Sequence, residues 1–157
     1  MREIKARDIP GGFDIGLVVS RYNSDITELM LQQALTRLEQ LECAEERVIT
    51  VHVPGVTEIV AAAHEMIKHQ KLDVIVAIGC VISGETPYSG NLCQDVMSGC
   101  RHLSVNYQLP IVVGGLLMVD NEKQAHERLD GKKGRRAAEA IDIAYEVVSV
   151  VKQLRGE

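Results

Sequence analysis

A single α/β domain, built on a parallel sheet with helices on both faces, is the fold class the sequence predicts, and three observations predict it. The period of the apolar residues switches repeatedly between strand-like and helix-like along the chain. One run, Asp73 to Ile82, is apolar on both faces, as a strand at the centre of a covered sheet must be. Four strand patterns alternate with helical ones, which implies parallel crossovers and cover on both sides of the sheet. The 157 residues suit one domain. A chain of this length buries about 68–70% of the surface that its unfolded form exposes. Residues 1–12 read as an extended arm, and no internal repeat, linker or low-complexity tract divides the rest.

Phe13 to Val19 reads as the first strand. Ser24 to Leu41 follows as a helix, with Ile26, Leu29, Met30, Leu31, Ala34, Leu35 and Leu38 along one broad side. Val48 to Val53 is the second strand, closed by Pro54-Gly55, and Val56 to His69 the second helix. Asp73 to Ile82 is the central strand. It empties into a polar glycine loop, Ser83-Gly84-Glu85-Thr86-Pro87-Tyr88, and Asn91 to Tyr107 forms the third helix. Pro110 limits its continuation. Ile111 to Val119 makes the fourth strand, Asn121 to Leu129 a short helix, and Gly134 to Leu154 a long final one. Ligands of parallel sheets collect outside the carboxyl ends of the strands, so these loops are where function is sought.

Charge and motif content narrow the function classes. Seventeen basic residues against 22 acidic give a net charge of -5. That balance argues against general nucleic-acid binding, which needs a basic face, and favours small molecules or protein partners. Met1 to Phe13 is charged rather than apolar, and no run reaches the roughly 18 residues of a membrane span, which predicts a cytoplasmic protein without membrane insertion. Cys43, Cys80, Cys93 and Cys100 form no Cys-x-x-Cys pair and read as reduced, packed thiols. His64 and His69 are five apart rather than four, which turns them away from each other and from shared metal ligation. Gly11-Gly12 and Gly114-Gly115 lack the spacing of a phosphate loop. The second pair sits inside a strand pattern, where close backbone approach explains it. There is no Gly-x-Ser-x-Gly elbow.

What remains is a set of polar residues at the strand ends. Ser24 reads as a helix cap, Asn23 equally as a cap or a ligand contact, and Tyr22 as filling the rim of the core or facing a ligand. Glu58 lies in the first turn of a helix, where the dipole favours a carboxylate by about 0.3–1 kcal/mol without any ligand. Gly84-Glu85-Thr86 is either a plain glycine turn or a set of backbone amides for an oxyanion. Lys132, Lys133, Arg135 and Arg136 surround the start of the last helix, where the dipole disfavours cations. Either an anion compensates them or they form a solvated face. Arg128 adds a planar fork suited to a phosphate or carboxylate.

Four segments, in this order and spacing, carry a family resemblance: Arg21-Tyr22-Asn23-Ser24, Val53-Pro54-Gly55-Val56-Thr57-Glu58-Ile59, Gly79-Cys80-Val81-Ile82-Ser83-Gly84-Glu85-Thr86, and Ala125-His126-Glu127-Arg128 leading into Gly131-Lys132. From Phe13 to Val151 the chain resembles the 6,7-dimethyl-8-ribityllumazine synthases, which act in riboflavin biosynthesis. The resemblance implies a flavodoxin-like three-layer α/β/α sandwich with a four-stranded parallel sheet of order 2-1-3-4. It also implies a homopentamer, or a shell of pentamers, with active sites between neighbouring subunits and riboflavin synthase as a candidate partner. No metal or organic cofactor is expected. By the same resemblance Tyr22 stacks on the pyrimidine of 5-amino-6-ribitylaminouracil, Asn23 and Glu58 bond its ribityl hydroxyls, and the backbone at Val81 and Ile82 contacts the heterocycle. Gly84, Glu85, Thr86 and an Arg128 from the adjacent subunit hold the phosphate of 3,4-dihydroxy-2-butanone 4-phosphate, and Val56, Thr57, Val113 and Arg136 complete the substrate site.

Three departures qualify that picture. Tyr88 stands where the family usually has its proton-transferring His, and Thr57 and Val113 stand where an aromatic residue is frequent. The stretch Ser89-Gly90-Asn91-Leu92 lacks the usual aromatic and acidic pattern. A phenol is protonated at neutral pH, so it donates a hydrogen bond but is a poor general base. A positioned acid–base group is worth about 10²–10⁴ in rate, whereas alignment of two reactants supplies an effective molarity of about 10⁵–10⁸ M. Two expectations follow: a synthase with altered acid–base equipment, or a non-catalytic lumazine- or flavin-binding or assembly paralogue. A pentameric riboflavin synthase fits less well because the chain keeps Gly84-Glu85-Thr86. Arg135 stands where shell-forming members have Asn, which favours a free pentamer.

Overall fold

Strand β1 (Ile15–Ser20) is buried along its whole length. In the computed structural model, which describes residues 1–84 and 88–157, β1 lies between β2 (Val48–Val53) and β3 (Val74–Ile82), parallel to both. β4 (Ile111–Val112) and β5 (Leu116–Val119) both pair in parallel with β3, opposite Ile75–Val76 and Gly79–Ile82 respectively. The expected order 2-1-3-4 therefore holds, with the fourth strand in two pieces. The break falls at Val113-Gly114-Gly115, where the Leu116 amide turns back to the Val113 carbonyl at 3.0 Å. A Cβ on Gly115 would collide with the carbonyl oxygen of Ala77, so the strand passes closest to β3 where it carries no side chain.

Side-chain alternation along the strands separates two apolar layers. Val74, Val76, Ile78 and Cys80 of β3 join Ile15, Leu17 and Val19 of β1 on one face. There they pack against helix α1 (Ser24–Gln40), the short α4 (Glu122–Glu127) and α5 (Arg136–Arg155). Ile75 and Ala77 turn to the other face, toward α2 (Glu58–His69) and α3 (Tyr88–Asn106). Both faces of the sheet are covered, which is why Val74 to Cys80 is buried without interruption.

Several boundaries differ from the sequence reading, each for a local reason. β1 begins at Ile15 because the Asp14 amide bonds the Asp73 carboxylate at 2.8 Å instead of a neighbouring strand. Asn23, not Ser24, is the N-cap of α1, in the left-handed conformation (φ 61°) and without a side-chain cap bond. α3 starts at Tyr88, three residues before Asn91. α5 starts at Arg136, because Gly134 takes a φ of +91° that no helix continues. α4 spans Glu122–Glu127 rather than Asn121 to Leu129, because Asn121 is its cap, with Oδ1 accepting from the Gln124 amide at 2.9 Å. Residues 1–9 form no regular element but lie along α5. Arg7 exchanges two backbone hydrogen bonds with the buried Ser149 hydroxyl, at 2.8 and 2.7 Å, and Gln153 donates to the Lys5 carbonyl at 2.8 Å. Among the described residues no helix is long and apolar enough to cross a membrane.

Candidate active site

The carboxyl ends of β1, β2 and β3 open onto a cleft of about 190 Å³. Its position follows from the ladder. Beyond Ser20 the chain continues to bond β2, Arg21 N to Val53 O at 2.8 Å and Tyr22 N to Pro54 O at 3.0 Å, which carries Tyr22 to the side of Gly55. Tyr22, Gly55, Val56 and Thr57 line one side of the cleft, and Cys80, Val81, Ile82 and Leu92 the other. Tyr22 is 74% exposed, an aromatic side chain at the mouth that stacks on no other ring among the described residues. Val56 packs beneath it over Gly79, where a Cβ would stand 2.7 Å from Val56 Cγ1 and 2.8 Å from Ser20 Oγ.

Asn23 ties the two sides together. Its Nδ2 donates to the Cys80 carbonyl at 2.9 Å, while its own carbonyl accepts from Ile26 and Thr27. The side-chain oxygen is the group left to meet a ligand. Glu58, the first residue of α2, accepts from the Thr57 hydroxyl at 2.7 Å. On the far side of the cleft the exit of β3 is pinned by Ser83, whose amide bonds the Val119 carbonyl at 2.8 Å and whose hydroxyl donates to Asp120 at 3.0 Å. Gly84 follows, exposed and with open space around its Cα. Glu85 and Thr86 lie outside the described residues. Tyr88 opens α3 with 76% of its surface exposed.

Arg128 closes α4, and its carbonyl accepts from the Arg136 amide at 3.0 Å, so the two guanidinium-bearing residues share one junction. The Arg128 Nε is buried with no hydrogen-bond partner among the described residues. The two lysines of the basic cluster are answered within the chain, Lys132 by Asp130 at 3.7 Å and Lys133 by Glu127 at 3.2 Å. Arg135 meets Glu139 only through its backbone amide, at 3.1 Å. Part of the compensating negative charge thus comes from neighbouring carboxylates rather than from a ligand. Neither Arg128 nor Arg136 lines the cleft of its own chain, and Val113 lies away from it at the break in the edge strand.

The structure gathers Tyr22, Val56, Thr57, Val81 and Ile82, with Asn23 and Glu58 adjoining. Three lining residues were not singled out from the sequence: Gly55, Cys80 and Leu92. Leu92 lies one helical turn beyond Tyr88, a spacing that becomes visible only once α3 begins at residue 88. Burial, with help from nearby Asp25 and Cys93, pushes the Cys80 thiol up to about 11, which removes it as a nucleophile at neutral pH. His64 meets Tyr107 at 2.8 Å, and both histidines lie against the Glu65 carboxylate, His64 at 3.5 Å and His69 at 3.2 Å. A larger hollow of about 580 Å³ lies between the N-terminal segment and the end of α1, lined by Phe13, Leu41, Cys43 and Arg47. It sits at the amino ends of β1 and β2, away from the edge where parallel sheets bind ligands.

Residues 12–152 match the model of the 6,7-dimethyl-8-ribityllumazine synthase family. The chain is 34% identical over 142 residues to a 6,7-dimethyl-8-ribityllumazine synthase of Coxiella burnetii, covering 90% of this chain and 93% of that protein. It is 33% identical over 144 residues to the protein of that name from Porphyromonas gingivalis, covering 90% and 89%. A third, from Parabacteroides distasonis, is 32% identical over 136 residues, covering 87% and 84%.

Proposed function

Because the chain belongs to the 6,7-dimethyl-8-ribityllumazine synthase family, we propose that it condenses 5-amino-6-ribitylaminouracil with 3,4-dihydroxy-2-butanone 4-phosphate. The products are 6,7-dimethyl-8-ribityllumazine, phosphate and water. The observation that carries this reading is the cleft itself. It places an exposed aromatic face (Tyr22), a polar rim (Asn23, Thr57, Glu58) and the backbone of Val81 and Ile82 around one opening at the carboxyl edge of the sheet.

In this reading Tyr22 covers the pyrimidine, Asn23 Oδ1 and Glu58 accept from ribityl hydroxyls, and the β3 backbone reads the heterocycle edge. The Gly84-Glu85-Thr86 loop and Arg128 hold the phosphate. The 5-amino nitrogen attacks the ketone, and water leaves to give an imine. Loss of the phosphate follows, and the ribitylamino nitrogen closes the second ring with loss of water. Holding the two reactants together supplies most of the rate, which a protein without the usual imidazole retains.

The cleft of about 190 Å³ is smaller than the roughly 300–1,000 Å³ of ordinary small-molecule pockets. That shortfall, with Arg128 absent from the cleft of its own chain, supports a site completed by the neighbouring copy in a homopentamer. Tyr88, in place of a base, favours the second reading, a paralogue that binds lumazines or flavins without turnover. Incubating the pure protein with both substrates and following lumazine fluorescence decides between them. Turnover above the spontaneous condensation supports the synthase. Turnover no faster than the spontaneous reaction, together with flavin or lumazine binding, establishes the binding paralogue.

A further inference from the structure

We propose that Thr57 is a positioning residue that seats the Glu58 carboxylate for the polyol chain of the ligand, an inference that rests on the polyol-binding reading of Glu58. Thr57 occupies the N-cap position of α2, where a threonine oxygen ordinarily accepts from an amide of the first turn. It makes no such bond. Its hydroxyl proton goes instead to Glu58 Oε1 at 2.7 Å. Consecutive residues at a helix start do not face each other, so this contact requires the carboxylate to fold back past the helix end. It folds over Gly55, where an added Cβ would stand 2.9 Å from Glu58 Oε2. The missing side chain at Gly55 makes the seat and the Thr57 hydroxyl holds it. Both Thr57 and Gly55 line the cleft, so the exposed carboxylate stands at its rim. With one acceptor position taken by Thr57, the remaining lone pairs of the carboxylate are the acceptors left for vicinal hydroxyls.

The test is binding, read by fluorescence titration with two ligands: 6,7-dimethyl-8-ribityllumazine, and 6,7,8-trimethyllumazine, which keeps the heterocycle and lacks the polyol. Thr57→Val should weaken the ribityl ligand about 3- to 10-fold, the range expected for one hydrogen bond, and leave the trimethyl ligand unchanged. Thr57→Ser should restore the ribityl ligand to within about twofold, because the donor is kept. In a Glu58→Ala background, which removes the acceptor, Thr57→Val should cost nothing further. Equal losses for both ligands, an undiminished loss in the Glu58→Ala background, or no rescue by serine would overturn the proposal. If Glu58→Ala weakens the ribityl ligand and Thr57→Val does not, only the positioning role falls. If Glu58→Ala itself has no effect, the polyol reading of Glu58 falls and takes the positioning role with it.

Discussion

Replacing Gly79 by alanine probes the link between the central strand and the cleft. Two effects oppose each other. An alanine in a strand loses less conformational freedom on folding than glycine, worth about 0.5–1 kcal/mol in favour of the variant. Against this, the new methyl would meet Val56 Cγ1 at 2.7 Å, Ser20 Oγ at 2.8 Å and Leu116 Cδ2 at 3.3 Å. Val56 is stiff about χ1, and Ser20 is short and fully buried, so neither retreats cheaply. Overpacking of this kind costs about 1–3 kcal/mol, and with three neighbours inside 3.4 Å the upper half of that range applies; less about 1 kcal/mol of entropic gain, the net loss is about 1–2 kcal/mol. At this chain length the corresponding fall in Tm is about 2–8 °C, measurable by scanning calorimetry. Because the displaced Val56 lines the cleft, affinity for 6,7-dimethyl-8-ribityllumazine should fall in the same variant. An unchanged or raised Tm would refute the packing account of Gly79.

Tyr88→His should raise the condensation rate tenfold or more, because a positioned base contributes about 10²–10⁴ and the start of α3 disfavours the imidazolium, keeping the ring available as a base; an unchanged rate in a steady-state assay would show that position 88 does not limit the chemistry. Thiol labelling of the native protein at neutral pH should modify Cys43 alone at an appreciable rate, since Cys80, Cys93 and Cys100 are buried and burial raises every one of these thiols. Mass spectrometry of the labelled peptides checks the assignment, and rapid native labelling of Cys80 would contradict the packed cleft wall.

The parallel sheet was legible because its centre has no polar face: Val74 to Cys80 could be buried only between two layers of helices. The residues of the cleft were legible for a related reason, since they stand where apolar strands end in polar loops. Less legible was anything decided by contacts distant in sequence. Gly114-Gly115 pointed to close backbone approach, yet only the Ala77 carbonyl explains why the strand divides there. Asn23 could be a cap or a ligand contact until its amide met Cys80, 57 positions away. The basic run from Lys132 to Arg136 resembled an anion seat because the carboxylates that answer its lysines, Glu127 and Asp130, have no distinguishing pattern in a chain with 22 acidic residues.

Those carboxylates also sort the basic cluster chemically. Lys132 and Lys133 each have a partner within 4 Å, so a ligand recruiting them would first have to break an existing pair. Arg128, Arg135 and Arg136 belong to no ion pair among the described residues. A buried donor without a partner costs about 1–3 kcal/mol, and among the described residues Arg128 Nε is such a donor. A planar fork that already carries this cost gains more from a phosphate than a solvated lysine does, because the anion relieves a penalty as well as adding an attraction. Anion affinity should therefore concentrate at the junction where Arg128 and Arg136 meet backbone to backbone. In the proposed assembly that junction faces a cleft whose own chain lines it with Tyr22, Val56 and Ile82 but with no arginine or lysine. On that proposal the aromatic and polyol half of the site would come from one copy and the cationic half from the next.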